Sequence, residues 1–301
     1  MADERQLKTH GFLLAGGGAM LFSLKGIVMK LAFDHGASVE LMMALRMGFS
    51  LPFFLAIGVW SHRRSTRSVT GKTVVSAALL GALSYYVFTW LDFTGLKHIS
   101  AQLERLILFL YPTFTALFAW IFLKDKTSWQ HGLALVLSYL GVGILVLNEM
   151  GAQESSTGFG AILVLSAAIL FAVYVVAAKP VISQLGSALF TSIAMSTAAL
   201  CILMHFGVQA AAGAVPSVSP THLLLGIVLA VPCTILPSFM TSEAIARIGP
   251  GLTSGVAGVG PVATALFAVA VLGEAFGWSH LAATVLTTGG LFLLSRSSRQ
   301  T

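Results

Sequence analysis

The segments 112-PTFTALFAWIFLKDKTSWQHG-132 and 261-PVATALFAVAVLGEAFGWSHL-281 are one pattern written twice, 149 residues apart. Pro112 falls on Pro261, and 115-TALFA-119 falls on 264-TALFA-268. Trp129 falls on Trp278, and His131 on His280. At the same offset Ile99 meets Ile248, Leu103 meets Leu252 and Gly141 meets Gly290. The match weakens towards the start of each copy but holds its register: 21-LF-22 on 170-LF-171, Lys30 on Lys179, Ser38 on Ser187. Apolar helices resemble one another by composition alone, so the Pro, Trp, His and TALFA coincidences carry the weight. A fixed internal offset is the mark of a duplicated unit. The units are placed at residues 11–148 and 158–296.

The medium these units occupy follows from composition. Of 301 residues, 56% are hydrophobic and 9% charged, with a mean hydropathy of +0.90. A soluble domain carries about 25% charged residues. Lipid is the solvent that accepts this much apolar surface, which predicts a polytopic, all-α membrane protein. Each helix needs about 20 apolar residues. Ten candidate spans result: 11–33, 38–60, 73–95, 98–123, 131–148, 158–179, 185–206, 222–244, 249–273 and 278–295. The opening MADERQLKTH carries both signs of charge, the apolar run after it holds Lys25, and no small-residue cleavage site follows, so a first membrane helix is expected rather than a signal peptide. The net charge of +6 reads as an orientation signal, not as a nucleic-acid footprint. Cys201 and Cys233 lie in apolar runs and read as packing residues. No metal-ligand spacing and no cofactor motif is evident.

With ten spans, Arg5, Lys8, Arg63, Arg64, Arg67, Lys72, Lys124, Lys126, Lys179, Arg247, Arg296 and Arg299 fall on one side. Asp34, Glu149, Glu154 and Glu274 fall on the other, with Lys97 the main basic exception. The positive-inside rule then places both termini in the cytoplasm. Five spans per unit is an odd number, so the second unit enters the membrane from the opposite side. Inverted repeats of this kind build secondary transporters, with the cargo site near mid-membrane between the repeats.

Charges inside the spans are the site candidates, because each costs about 2.5–3.5 kcal/mol at mid-membrane unless it is paired or wetted. Lys25, Arg46, Asp92, Glu104 and Arg105 share the outer half of the membrane, with Arg46, Glu104 and Arg105 about 9–12 Å in from that face. Adjacent residues on a helix point about 100° apart. Glu104 is therefore expected on a face with Leu108 and Tyr111, and Arg105 on a face with Phe109 and Pro112, so this span is embedded in protein on two sides. One reading has Arg46 and Arg105 neutralising Asp92 and Glu104 as a packing device. The other has some of the set contacting cargo or a coupling proton. The second unit carries Tyr174, Met195, Thr253 and Ser254 where the first has Lys25, Arg46, Glu104 and Arg105, which favours a functional role. In 85-YYVFTW-90, Tyr85, Tyr86 and Trp90 read either as an interfacial belt or as a cup for cargo. Pro112 and Pro261 are candidate kinks for gating. Gly255 and Gly258 are candidates for tight packing.

The repeat resembles the EamA-type drug/metabolite transporters. The resemblance rests on the two segments quoted first, the 272-LGE-274 turn, 23-SLKGIVMKLAFDHGAS-38, 45-LRMGFSLPFF-54 and 103-LERLILFLYPT-113. The first unit departs from the turn, with 123-LKD-125 in place of LGE. The resemblance implies ten helices in two inverted five-helix repeats and a small polar or amphipathic metabolite as cargo, exported across the cell membrane. Cations at Lys25, Arg46 and Arg105 beside anions at Asp92 and Glu104 suggest an amino-acid-like zwitterion. A proton is the candidate coupling ion, and a homodimer the candidate assembly. No nucleic-acid partner and no enzymatic activity is expected. The rival readings are an intramembrane or lipid-modifying enzyme using Asp92, Glu104 and the basic cluster, and a channel.

Overall fold

A computed structural model describes residues 2–65, 69–123, 129–152, 156–213 and 217–297. Arg67, Lys124, Lys126, Glu154 and Arg299 lie outside them, as do the side chains of Arg5, Lys8, Trp129, His131 and Arg296. The described residues are helical, with no strand. The first unit runs α1 (Ala2–Asp34), α2 (Val39–Arg64), α3 (Gly71–Gly81), α4 (Phe88–Leu96), α5 (Ala101–Leu108), α6 (Tyr111–Leu123) and α7 (Trp129–Ala152). The second runs α8 (Thr157–Leu185), α9 (Ser187–Ala211), α10 (Pro220–Ala230), α11 (Leu236–Val256), α12 (Val259–Phe267) and α13 (Trp278–Ser297). By length and composition six helical stretches can cross a bilayer: 9–34, 39–64, 71–96, 157–185, 187–211 and 220–256. The stretches 136–150 and 259–272 are apolar but shorter.

Local sequence explains the helix starts. Ser38, Thr70, Ser100 and Ser219 are N-caps whose hydroxyls accept from the third residue on, at Leu41, Thr73, Leu103 and His222. Thr70 and Ser219 are repeat equivalents.

The repeat also governs features that composition does not show. A π-helical segment, Ala82–Val87, joins α3 to α4, and another, Val231–Ile235, joins α10 to α11. Their starts are 149 residues apart. Each closes with a backbone bond spanning five residues, Phe88 N–H to Leu83 O and Leu236 N–H to Val231 O. The fourth helix of each unit is broken at equivalent places. α5 ends at Leu108 and α6 begins at Tyr111, while α11 ends at Val256 and α12 begins at Val259. Pro112 and Pro261 sit in the first turns of the helices that resume, where a missing N–H leaves no bond unmade. Their role is to restart a helix rather than to kink a continuous one. Gly249, at φ 79°, puts a further bend within α11, and its repeat equivalent is the N-cap Ser100.

Packing between units is reciprocal. α2 packs on its own equivalent α9, and α7 on α13. α1 packs along α11 and α12, and α8 correspondingly along α4, α5 and α6. This reciprocity is what a two-fold relation between the units produces.

Candidate functional site

Where the units meet, a partly open cavity is lined from both. α1 contributes Ala15, Ala19, Phe22 and Lys25, and α2 contributes Arg46. The first π segment contributes Tyr85. Phe88 follows on α4, and Arg105, Leu108, Phe109 and Tyr111 surround the break between α5 and α6. From the second unit come Phe171, Thr241, Thr253 and Ala257. Thr241 and Thr253 are the repeat equivalents of Asp92 and Glu104.

The five charges come together around this cavity, all of them buried. Their pairing differs from the one that the packing reading assigned to the arginines. Lys25, not an arginine, holds both acids: its ammonium pairs with Asp92 and lies 3.7 Å from Glu104 Oε1. The same ammonium sits over the rings of Phe88 (5.1 Å) and Phe93 (5.4 Å). Asp92 and Glu104 stand behind Lys25 and do not line the cavity. One oxygen of each, Asp92 Oδ1 and Glu104 Oε1, has no hydrogen-bond partner.

The arginines bind neutral groups instead. Arg46 donates from Nε to Thr234 Oγ1 at 2.7 Å, and Thr234 Oγ1 donates to Leu229 O, five residues back across the second π segment. Arg105 donates from Nη2 to Ala19 O and Ser23 Oγ, both at 3.1 Å, and lies 5.1 Å over the Phe109 ring. Ser23 Oγ in turn reaches Ala19 O (2.8 Å) and Gly260 O (3.0 Å), tying α1 to α12. Gly260 gives Arg105 and Phe109 their room here. A Cβ on it would fall 2.6 Å from Arg105 Nη2 and 2.9 Å from Phe109 Cε2.

All eight residues of α5 are buried, which is how Glu104 and Arg105 can point different ways and both be enclosed. The face assignment fails beyond Leu108, however. The helix breaks there, so Leu108, Phe109 and Tyr111 all reach the cavity.

Tyr85 lines the cavity and meets Tyr174 by a hydroxyl contact of 3.3 Å. Tyr111 meets Phe171 edge-on at 4.9 Å, and Phe171 stacks on Tyr174 at 5.8 Å, giving one wall an aromatic face. Tyr86 and Trp90 are not in that wall. Tyr86 turns to His205, 3.3 Å away, and Trp90 is 37% exposed on the outer surface. Tyr86 lies in the π segment and Trp90 on α4 after it, and a π turn shifts which residues share a face.

Thr234 is not among the residues the sequence singles out, and Glu274 enters there only as an orientation charge and as part of the LGE turn; both have a role in the structure. The offset that maps Tyr85 onto Thr234 was a usable signal for the first. Glu274, in the LGE turn, accepts from Ala101 N–H (2.7 Å), Gln102 N–H (3.3 Å) and Gln102 Nε2 (3.2 Å). Glu149 accepts from Ser100 N–H (3.2 Å) and from its hydroxyl. Two acids from different units thus cap the N-terminus of α5, where the helix dipole favours negative charge. Gly258 N–H bonds Gly255 O at 3.2 Å, so this glycine pair shapes the break before α12. Among the described residues no group of His, Cys, Asp and Glu could hold a metal ion.

The model of the EamA-like transporter family matches residues 9–147 and again 158–296. The chain is 27% identical over 288 residues to "Uncharacterized transporter YcbK" of Bacillus subtilis (strain 168), covering 94% of this chain and 90% of that protein. It is 22% identical over 265 residues to "Uncharacterized transporter sll1319" of Synechocystis sp. (strain ATCC 27184 / PCC 6803 / Kazusa), covering 85% and 79%. A solved crystal structure superposes with a TM-score of 0.67 over 97% of this chain and 98% of the other at 18% identity, a likeness of fold.

Proposed function

Because the chain belongs to the EamA-like transporter family and is a multi-pass membrane protein, we propose that it is a secondary transporter working by alternating access. The carrying observation is a cavity at the interface of two reciprocally packed repeats, lined by both. Two units related in this way can rock between states open to either side. In this reading ten spans form two inverted repeats in the cell membrane, with both termini cytoplasmic. The cargo is a small polar or amphipathic metabolite, amino-acid-like molecules among them, and it is exported. Lys25, Arg46, Arg105, Tyr85 and Tyr111 face it. Asp92 and Glu104 act through Lys25, and each keeps a buried oxygen without a partner that can carry a coupling proton.

An enzyme has no use for two-fold related halves, which weighs against the catalytic alternative. The discriminating experiment compares purified protein in sealed proteoliposomes with the same protein in detergent. Saturable flux of a labelled metabolite without chemical change supports transport. Product formation in detergent without flux rejects it.

A further inference from the structure

The charges around the cavity do not balance, and the excess lies on the side that faces its contents. Lys25, Arg46 and Arg105 line the cavity, while Asp92 and Glu104 do not. Both acids are engaged with Lys25. Among the described residues, neither arginine has a carboxylate within 4.0 Å. Their partners, Thr234, Ala19 O and Ser23, are neutral. Arg46 Nη1 and Arg105 Nε have no hydrogen-bond partner at all, although the residues are only 2% and 7% exposed. Three cations face two carboxylates, so one positive charge is left over among buried side chains. Such a group is stable only when a counter-charge or water meets it.

Resting on the transporter reading, we propose that the cavity is a carboxylate site whose cargo is a small organic monoanion with an apolar or aromatic body. Arg46 and Arg105 take the carboxylate, as guanidinium groups do best. The wall around Phe88, Phe109, Tyr111 and Phe171 takes the body. The chemistry excludes neighbouring classes. An amine would meet three cations and no cavity-lining acid. A dianion would exceed the free charge. A small inorganic anion would leave the aromatic wall unused. An amino acid shares the carboxylate but is net neutral, and its ammonium meets no acidic side chain lining the cavity, so it is a poorer fit than the monoanion. This narrows the zwitterion expected from sequence, which required Asp92 and Glu104 to face the cargo.

The test is a thermal-shift titration of the purified full-length chain with four probes: 3-phenylpropionate, phenylalanine, phenethylamine and acetate. A probe that binds the folded state raises its melting temperature. We expect 3-phenylpropionate to bind at least as well as phenylalanine, and phenethylamine and acetate on the order of 100-fold more weakly or not at all. Arg46→Gln should weaken 3-phenylpropionate about ten- to a hundredfold. Arg105 also ties α5 to α1, so the wild-type series is the primary readout and needs no variant. Binding of phenethylamine equal to that of 3-phenylpropionate overturns the inference. So does binding of phenylalanine alone, or of none of the four. Counterflow of the bound probe in proteoliposomes separates the two levels. Phenethylamine that binds and exchanges leaves the transporter standing and removes the carboxylate site. Binding of 3-phenylpropionate without exchange keeps the site and rejects transport.

Discussion

Replacing Lys25 by methionine removes the cation that Asp92 and Glu104 share. At the 3.7 Å separation from Glu104 Oε1, the Coulomb attraction of that arm alone is about 4.5 kcal/mol at an effective dielectric of about 20. Desolvation offsets much of this in the folded protein. The methionine variant keeps the desolvation of two carboxylates and loses the attraction, so it should be destabilised by about 3–5 kcal/mol. On the usual thermal scale that lowers the melting temperature by on the order of 10 °C. Adding Asp92→Asn and Glu104→Gln removes the stranded charges. The triple variant should then recover most of the loss, which independent sites would not do. The assay is thermal unfolding of the purified chain in one detergent, for wild type, K25M, D92N/E104Q and K25M/D92N/E104Q. A K25M protein as stable as wild type would refute the reasoning, as would a triple variant no better than K25M.

Gly260→Ala should cost about 1–3 kcal/mol through its clash with Arg105 and Phe109, read by thermal unfolding. Glu274→Ala should cost about 0.5–2 kcal/mol, because the first N–H groups of α5 lose their acceptor. Trp90→Leu should leave flux close to wild type, since Trp90 faces outward, whereas Tyr85→Leu should impair it, since Tyr85 lines the cavity. Single cysteines at positions 151 and 213, in a chain lacking Cys201 and Cys233, should both label from outside, and labelling from opposite faces would contradict the ten-span topology.

The duplicated architecture was legible because Pro112, Pro261 and the two TALFA runs sit on rigid, unusual features that survive divergence. The π segments at 82–87 and 231–235 were not, because an extra residue in a helical turn leaves no mark on composition. Tyr86 and Trp90 are open to two readings in the sequence, a belt or a cup for cargo, and a Trp90 that is 37% exposed fits the belt. The depth of the five charges followed from rise per residue, and the structure does gather them. Their pairing did not follow, because depth says nothing about rotation between helices. Lys25 rather than Arg46 or Arg105 reaches the acids for that reason. Repeat arithmetic held a further clue, since Thr241 and Thr253 line the cavity where Asp92 and Glu104 have their equivalents.

Alternating access makes one demand that neither a channel nor an enzyme meets: labelled cargo must exchange against unlabelled cargo across a sealed membrane. Proteoliposomes loaded with unlabelled 3-phenylpropionate or phenylalanine and diluted into a trace of the labelled compound should transiently accumulate label above its external concentration. Uptake should saturate, proceed without ATP, and fall in Arg46→Gln. Flux that rises linearly with concentration and shows no stimulation by internal cargo would contradict a transporter built on two rocking repeats.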